Sequence, residues 1–166
     1  MNDSPYNKLP NDIKRKYKIV YSELLCDNVT MFKNKDEKWG VISSKKKFGL
    51  FNFYDFLIKP IYNSVGFNKD LKLIEAVKYE NNVWNQDKNT FLYFDLNGKI
   101  IWQSKKGERV RIDNFGNIFI NRANKIGLLD KESFNQRIEP KYQQLDALNN
   151  TLFKAFQNSK YGIINR

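Results

Sequence analysis

Basic side chains next to aromatic ones are the residues of this chain best suited to bind a partner. Lysine and arginine bind carboxylates and phosphates, and neighbouring rings stack on nucleic-acid bases. Two stretches combine these residue types, the Lys-Lys-Lys-Phe run at 45–48 and the basic cluster at 105–111. We therefore take eight residues as candidate partner-binding residues: Lys45, Lys46, Lys47, Lys105, Lys106, Arg109, Arg111 and Arg122.

Residue types that carry most catalytic mechanisms are missing or poorly placed. The chain has no histidine, so it lacks the commonest general base and zinc ligand. Cys26 ends an apolar stretch, which favours a buried, inert thiol. The glycines are scattered singly, so no phosphate-binding loop is present. Carboxylate pairs such as Asp36-Glu37, or Glu75 with Glu80, are interpreted as solvated groups in polar turns. We predict no catalytic residue, no metal and no cofactor.

The charge of the chain favours an acidic partner. Lysine and arginine number 29 against 18 acidic residues, which gives a net charge of +11. A positive field attracts acidic proteins, nucleic acids and anionic lipids. A composition rich in lysine and asparagine would give the same charge without any function. The sequence has no stretch of membrane-spanning length, so a membrane is not expected as a partner.

Length and composition predict one folded domain. A chain of 166 residues with 15% aromatic residues can bury a core without disulfides, and Cys26 has no intramolecular partner. The first 20 residues contain no apolar segment of signal-peptide length, so a cytoplasmic location is the default expectation. The oligomeric state is left open.

The N-terminal segment has helical periodicity. Ile13, Tyr17, Val20, Tyr21 and Leu24 follow one another at helical spacing after Pro10. This pattern predicts one short amphipathic helix, and we assign residues 1–26 to a helix and arm that pack on a domain of residues 27–166.

Four short segments repeat along the remaining chain, and each ends in Asp or Asn. Their last residues lie 43, 35 and 35 residues apart, so the first interval carries an insertion. The segments are FGLFN at 48–52, FLYFD at 91–95, IGLLD at 126–130 and YGIIN at 161–165. An Ile-x-Pro-x-Tyr motif follows two of them, at 58–62 and 138–142.

Each repeat has the pattern of a β-hairpin. Apolar alternation precedes a polar turn rich in lysine and asparagine, and a glycine follows inside the returning strand at Gly49, Gly127 and Gly162. One hairpin cannot bury its apolar face alone, so the units must share a core. The predicted fold is mainly β, with about four stacked or curled β-hairpin repeats and one N-terminal helix. An open stack and a closed barrel both fit this pattern.

The repeats resemble a known family. Four triplets, with the downstream Pro-x-Tyr, look like the bacterial WG-repeat (KWG-repeat) family: Lys38-Trp39-Gly40, Lys47-Phe48-Gly49, Lys125-Ile126-Gly127 and Lys160-Tyr161-Gly162. The resemblance covers about residues 30–166 and implies β-rich interaction modules without catalytic residues. Leu92 stands where the second copy should have glycine, so the copies are degenerate.

These observations favour a non-enzymatic protein-binding module that docks on an acidic surface. Small proteins of this kind can act as inhibitors or immunity factors. The alternative is sequence-independent nucleic-acid binding by the basic and aromatic residues.

Overall fold

Four antiparallel sheets, each formed by one continuous stretch of chain, make up the fold. A computed structural model describes residues 9–47, 51–82 and 88–165. Strands account for 62% of the chain and helices for 6%, so the predicted mainly β class is confirmed. The sheets are separate and form no closed barrel.

Each sheet is a meander in which strands pair in chain order. Sheet 1 contains β1 Ile19–Cys26, β2 Val29–Asn34, β3 Trp39–Lys47 and β4 Phe51–Tyr62. Sheet 2 contains β5 Ser64–Asn68, β6 Leu73–Lys78, β7 Thr90–Phe94 and β8 Ile100–Gln103. Sheet 3 contains β9 Glu108–Ile112, β10 Ile118–Arg122, β11 Lys125–Leu129 and β12 Gln136–Tyr142. Sheet 4 contains β13 Gln144–Ala147, β14 Leu152–Gln157 and β15 Lys160–Asn165.

The sheets stack face to face, and an apolar core fills each space between them. Alternating side chains of one strand enter two different cores. On β10, Ile118 and Ile120 join the core shared with sheet 2, whereas Phe119 joins the core shared with sheet 4. Sheets 1 and 2 share a core that includes Val41 and Ile74. The order of sheets along the stack therefore follows the order of the chain.

Helix α1, Asn11–Lys16, covers the outer face of sheet 1. Ile13 and Tyr17 pack there against Phe32 and Ile42, which are 0% and 1% exposed. The predicted N-terminal helix is therefore present and buries an apolar surface that would otherwise face water.

The expected extension of this helix toward Leu24 is wrong. The helix ends at Lys16, Lys18 has a φ of 52°, and residues 19–26 form β1 in the first sheet. Val20 and Leu24, expected on a buried helical face, are 55% and 36% exposed. Pairing with β2 gives the backbone of this segment sheet hydrogen bonds that outweigh a weak helical periodicity.

Three of the four predicted repeat copies are structurally equivalent. The segments at 91–95, 126–130 and 161–165 each contain all but the first residue of the third strand of their sheet. Two hairpins have two-residue turns with positive φ at both positions, at Ala123-Asn124 and Asn158-Ser159. Such turns match the twist of the strands they connect, as the polar turn pattern predicted.

The first copy was placed wrongly. Asn52 lies on β4, the fourth strand, and residues 48–50 are outside the described residues. Trp39-Gly40-Val41 on β3 is the true equivalent, and the lysines at 45–47 lie in that strand and not in a turn. The chain offers two Lys-aromatic-Gly triplets, whose glycines Gly40 and Gly49 are nine residues apart, and only strand pairing distinguishes them.

The Ile-x-Pro-x-Tyr motif occupies the same place in sheets 1 and 3. Opposite Gly40, the register of β4 shifts between Ile58 and Tyr62. The equivalent shift in β12 lies opposite Gly127. A Cβ on Gly40 would lie 2.8 Å from the Ile58 carbonyl oxygen and 2.9 Å from the Pro60 nitrogen. Glycine is therefore required because the bulged backbone passes directly over it.

Candidate partner-binding site

Strands β9 and β10 bring several predicted basic residues to one face of sheet 3. Arg109 pairs with Asn121 and Arg111 with Phe119 in the antiparallel ladder. Paired residues of neighbouring strands point to the same side, so these four side chains share the face that is directed toward sheet 4. Strand β9 lies at the edge of sheet 3, which leaves Arg111 exposed.

Two adjoining clefts open on this surface and share Arg109 and Asn121. The first has a volume of about 240 Å³ and the second about 380 Å³. Together we name them the basic cleft, which is lined mainly by Lys106, Arg109, Arg111, Phe119, Asn121, Arg122 and Ile126. The surface combines cations, an amide and a small apolar floor.

Arg111 is held in place by an aromatic ring. Its guanidinium carbon lies 4.4 Å from the centroid of the Phe119 ring. Phe119 is 2% exposed and meets Phe153 edge to face at 6.2 Å. A ring fixed by the core restricts the stacked guanidinium, which lowers the entropy cost of engaging an anion. The same burial prevents Phe119 from stacking on a nucleic-acid base.

Arg122 has an acidic partner within the chain. Its Nε donates to Oε1 of Glu108 at 2.8 Å, and its Nη2 lies 2.7 Å from the same oxygen. The Glu108 side chain is 4% exposed, and its Oε2 accepts a hydrogen bond from the Lys105 backbone N–H at 2.8 Å. The charge of Arg122 is thus balanced within the chain by a buried carboxylate, and a role of Arg122 in partner binding stays a prediction.

The other predicted basic residues are not assembled into one surface. Lys45, Lys46 and Lys47 lie on β3 of sheet 1, whereas the basic cleft belongs to sheet 3. The side chains of Lys46 and Lys47 are outside the described residues. Lys105 is exposed in the turn before β9 and does not line either cleft. Of the eight candidates, the structure groups Lys106, Arg109, Arg111 and Arg122.

The sequence analysis missed the uncharged residues of the cleft. Asn121 and Ile126 lie on the two arms of the β10–β11 hairpin and pair with each other. Counting the register of this hairpin outward from the Ala123-Asn124 turn places the two residues opposite each other, but their position beside Arg109 depends on the pairing of β10 with β9. The strand before the hairpin supplied no such signal.

The other side chains that could take part in chemistry are isolated from one another. Burial, followed by the charge of Asp27, raises the pKa of the Cys26 thiol, which disfavours the reactive thiolate. The expectation that Glu75 lies in a polar turn is wrong, because Glu75 belongs to strand β6 and pairs with Tyr93 of β7. Its carboxylate accepts a hydrogen bond from the Tyr93 hydroxyl at 3.2 Å. Within residues 9–47, 51–82 and 88–165, no cluster of three or more possible ligands could hold a metal ion.

Comparisons with known proteins add no assignment. No protein-family model matches the chain, and no curated protein shows significant sequence similarity to it. The resemblance to WG repeats stays a prediction. In the described part of the chain, no helix has the length and apolar character needed to cross a membrane.

Proposed function

We propose that the protein is a non-enzymatic binding module whose basic cleft docks on an acidic surface of a partner protein. The observation that supports this proposal is the grouping of Lys106, Arg109 and Arg111 around clefts with an apolar floor. The net charge of +11 would steer an acidic partner toward the molecule. A WG-repeat-like module in the cytoplasm, acting as an inhibitor or immunity protein, fits this proposal.

The burial of the aromatic ring in the cleft favours a protein partner over a single-stranded nucleic acid. Guanidinium groups bind carboxylates through paired hydrogen bonds, and Arg111 is positioned for this by Phe119. Binding to single strands depends on accessible aromatic rings, and Phe119 is buried. Asn121 and Ile126 provide additional polar and apolar contacts at the same place.

A charge-reversal experiment tests the proposal. The double variant Lys106→Glu/Arg111→Glu changes two exposed residues of the cleft, and Lys99→Glu/Lys131→Glu makes the same charge change at exposed positions outside it. Each protein is used as bait in extracts of its native cells at low and moderate salt. Binding to a labelled poly-Glu peptide and to a single-stranded oligonucleotide is measured in parallel by anisotropy.

The expected result is a stoichiometric protein partner that the cleft variant loses and the control variant keeps. Affinity for poly-Glu should fall by about tenfold or more in the cleft variant, which corresponds to about 1.4 kcal/mol. Recovery of nucleic acid alone, with a steep loss of oligonucleotide binding as salt rises, would support the alternative function. Equal loss in both variants would show that net charge, not the cleft, determines binding.

A further inference from the structure

The two ends of the sheet stack differ in how their apolar faces are covered. At one end, helix α1 covers Phe32 and Ile42, which are 0% and 1% exposed. At the other end, Tyr161 and Ile163 of sheet 4 are each 61% exposed. Terminal units of stacked repeats normally need a polar outer face or a cap. No described residue covers Tyr161 and Ile163, so this part of the outer face of sheet 4 has the character of a binding surface.

The register of β14 and β15 defines this surface. Phe156 pairs with Tyr161, and Lys154 pairs with Ile163, so these four side chains point away from the core. The rings of Phe156 and Tyr161 are 4.6 Å apart, and Lys154 Nζ lies 4.5 Å from the Tyr161 ring centroid. We name these residues the outer face of sheet 4.

Strand β15 also forms an edge of its sheet. In sheets 1 and 3, the third strand pairs with a fourth, β3 with β4 and β11 with β12. In the part of the chain that the structure describes, β15 pairs with β14 alone. The free edge of a strand is a template on which an extended segment of another chain can pair.

The glycine of the third strand shows what kind of segment would fit. A Cβ on Gly127 would lie 2.7 Å from the Pro140 nitrogen and would also collide with the Ile138 carbonyl oxygen. At the equivalent Gly162, nothing lies within 4 Å. The space that β12 fills beside Gly127 is therefore open beside Gly162.

The residue after this glycine also differs in burial between the sheets. Leu128 pairs with Ile138 in β12 and is fully buried. Val41, at the same position of β3, pairs with Ile58 and is also fully buried. Ile163 occupies this position in β15 and remains 61% exposed. Leu128 and Val41 also lie in the cores shared with sheets 4 and 2, so their burial depends on the next sheet as well as on the paired strand, and among the described residues Ile163 has neither.

We propose that the β15 edge binds an extended segment of a partner protein that carries an aliphatic-x-Pro-x-Tyr sequence. The segment pairs antiparallel with β15, and its bulge at proline passes over Gly162. Its aliphatic residue lies opposite Ile163 and its tyrosine opposite Tyr161, as Ile138 and Tyr142 lie opposite Leu128 and Ile126. This site is separate from the basic cleft and does not depend on the function proposed for it.

A synthetic peptide tests the site directly. The probe is a labelled nine-residue peptide with the sequence of residues 135–143, NQRIEPKYQ, titrated into the full chain up to about 1 mM. A peptide with serine in place of the isoleucine and tyrosine is the negative control. Binding is measured by anisotropy, and hydrogen exchange reports protection of the β15 amides.

The decisive variant is Gly162→Val, with Gly66→Val as its matched control. Both glycines lie on strands where an added Cβ meets nothing within 4 Å, so both variants should keep the wild-type Tm. Only Gly162→Val places a side chain in the path of the docking backbone. Ile163→Lys, at an exposed position, is a second variant that leaves the core unchanged.

We expect the peptide to bind wild-type and Gly66→Val protein equally and to protect the β15 amides. Gly162→Val and Ile163→Lys should each weaken binding by about tenfold or more. The charge reversal at Lys106 and Arg111 should leave it unchanged. Equal affinity of wild-type and Gly162→Val protein would overturn the proposal. A wild-type dimer that Gly162→Val dissociates, without peptide binding, would instead assign the edge to a second copy of this chain.

Discussion

Two buried or partly buried carboxylates show how single residues of this fold tune stability. Glu75 and Glu108 both lie on strands of interior sheets, but their surroundings differ. Glu75 receives a hydrogen bond from the Tyr93 hydroxyl, whereas Glu108 receives bonds from Arg122 and a backbone N–H. Burial raises the pKa of Glu75, and the Tyr93 hydrogen bond offsets part of this rise. Burial, the Glu75 charge and this bond also raise the pKa of Tyr93.

The raised pKa of Glu75 predicts a pH-dependent loss of stability. The folded state binds the proton of the Glu75 carboxyl more tightly than the unfolded state does. The stabilisation that this proton gives is therefore complete at a pH below 4.5, the ordinary pKa of glutamate. This stabilisation is lost as pH rises through the pKa that Glu75 has in the folded state. Glu75→Gln should therefore gain stability relative to wild type as pH rises above 4.5. Urea unfolding from pH 4 to 8 measures this difference, with the exposed Glu132→Gln as control. A constant difference across this range would contradict the prediction.

The ion pair of Glu108 predicts that Arg122 is structural. Arg122→Ala leaves the buried carboxylate without its charged partner and should cost about 1–3 kcal/mol of unfolding free energy. Lys106→Ala, at an exposed neighbour, should cost less than about 0.5 kcal/mol. Adding Glu108→Gln to Arg122→Ala should recover part of the loss because the buried charge is removed. Urea titration of the four proteins tests this, and equal stabilities of the two single variants would refute it.

At the scale of elements, the close crossing of a third and a fourth strand recurs in sheets 1 and 3. The bulge of β4 passes over Gly40 and the bulge of β12 over Gly127.

A turn that begins with an aspartate also recurs in the fold. Oδ1 of Asp95 accepts from the N–H groups of Asn97 and Lys99, and Oδ1 of Asp113 accepts from those of Phe115 and Asn117. In both turns a glycine with positive φ, Gly98 or Gly116, comes just before the residue that donates the second of these N–H groups.

The crossing predicts that the same glycine-to-alanine substitution has a large effect on stability in sheet 3 and a small one in sheet 4. Gly127→Ala forces a Cβ against the β12 backbone and should destabilise the protein by about 2 kcal/mol or more. Gly162→Ala meets no atom within 4 Å and should change stability by less than about 0.5 kcal/mol. Thermal and urea unfolding of both variants check this. Comparable destabilisation by both substitutions would show that backbone contact is not the cause.

At the scale of the whole molecule, the buried cores among the described residues join sheets that are neighbours in the stack. The cores between sheets 1 and 2, 2 and 3, and 3 and 4 are distinct sets of residues. Stability in such a stack is approximately a sum of unit terms and nearest-neighbour interface terms. One end is closed by helix α1, and the other end presents the outer face of sheet 4.

This arrangement predicts that a core defect remains local. Phe153→Ala removes a fully buried ring from the core between sheets 3 and 4 and should cost about 3–5 kcal/mol at that interface. Native-state hydrogen exchange should show loss of protection in β13 to β15 while β1 to β8 keep theirs. Ile74→Ala, in the core between sheets 1 and 2, should give the complementary pattern. Uniform loss across all four sheets would indicate a single cooperative unit.

The sequence alone determined features that depend on neighbouring residues. The polar turns at Ala123-Asn124 and Asn158-Ser159 have the positive φ values that two-residue hairpin turns require. The 35-residue spacing of Asp95, Asp130 and Asn165 correctly identified three equivalent third strands. These features can be predicted from the sequence because a turn requires particular backbone angles and a strand requires alternating side chains. Both requirements concern residues that are close together in the chain.

Only the tertiary structure decided the features that depend on pairing between distant strands. It assigned residues 19–26 to β1, because the hydrogen bonds of β2 are absent from any local pattern. It identified Gly40, and not Gly49, as the glycine of the first repeat. The backbone that crosses Gly40 at Pro60 belongs to a strand that begins eleven residues after Gly40. It gathered Arg109 and Arg111 beside Asn121 and left Lys45 on another sheet. A side chain's direction along a strand is local, but the surface that it meets is set by register and stacking.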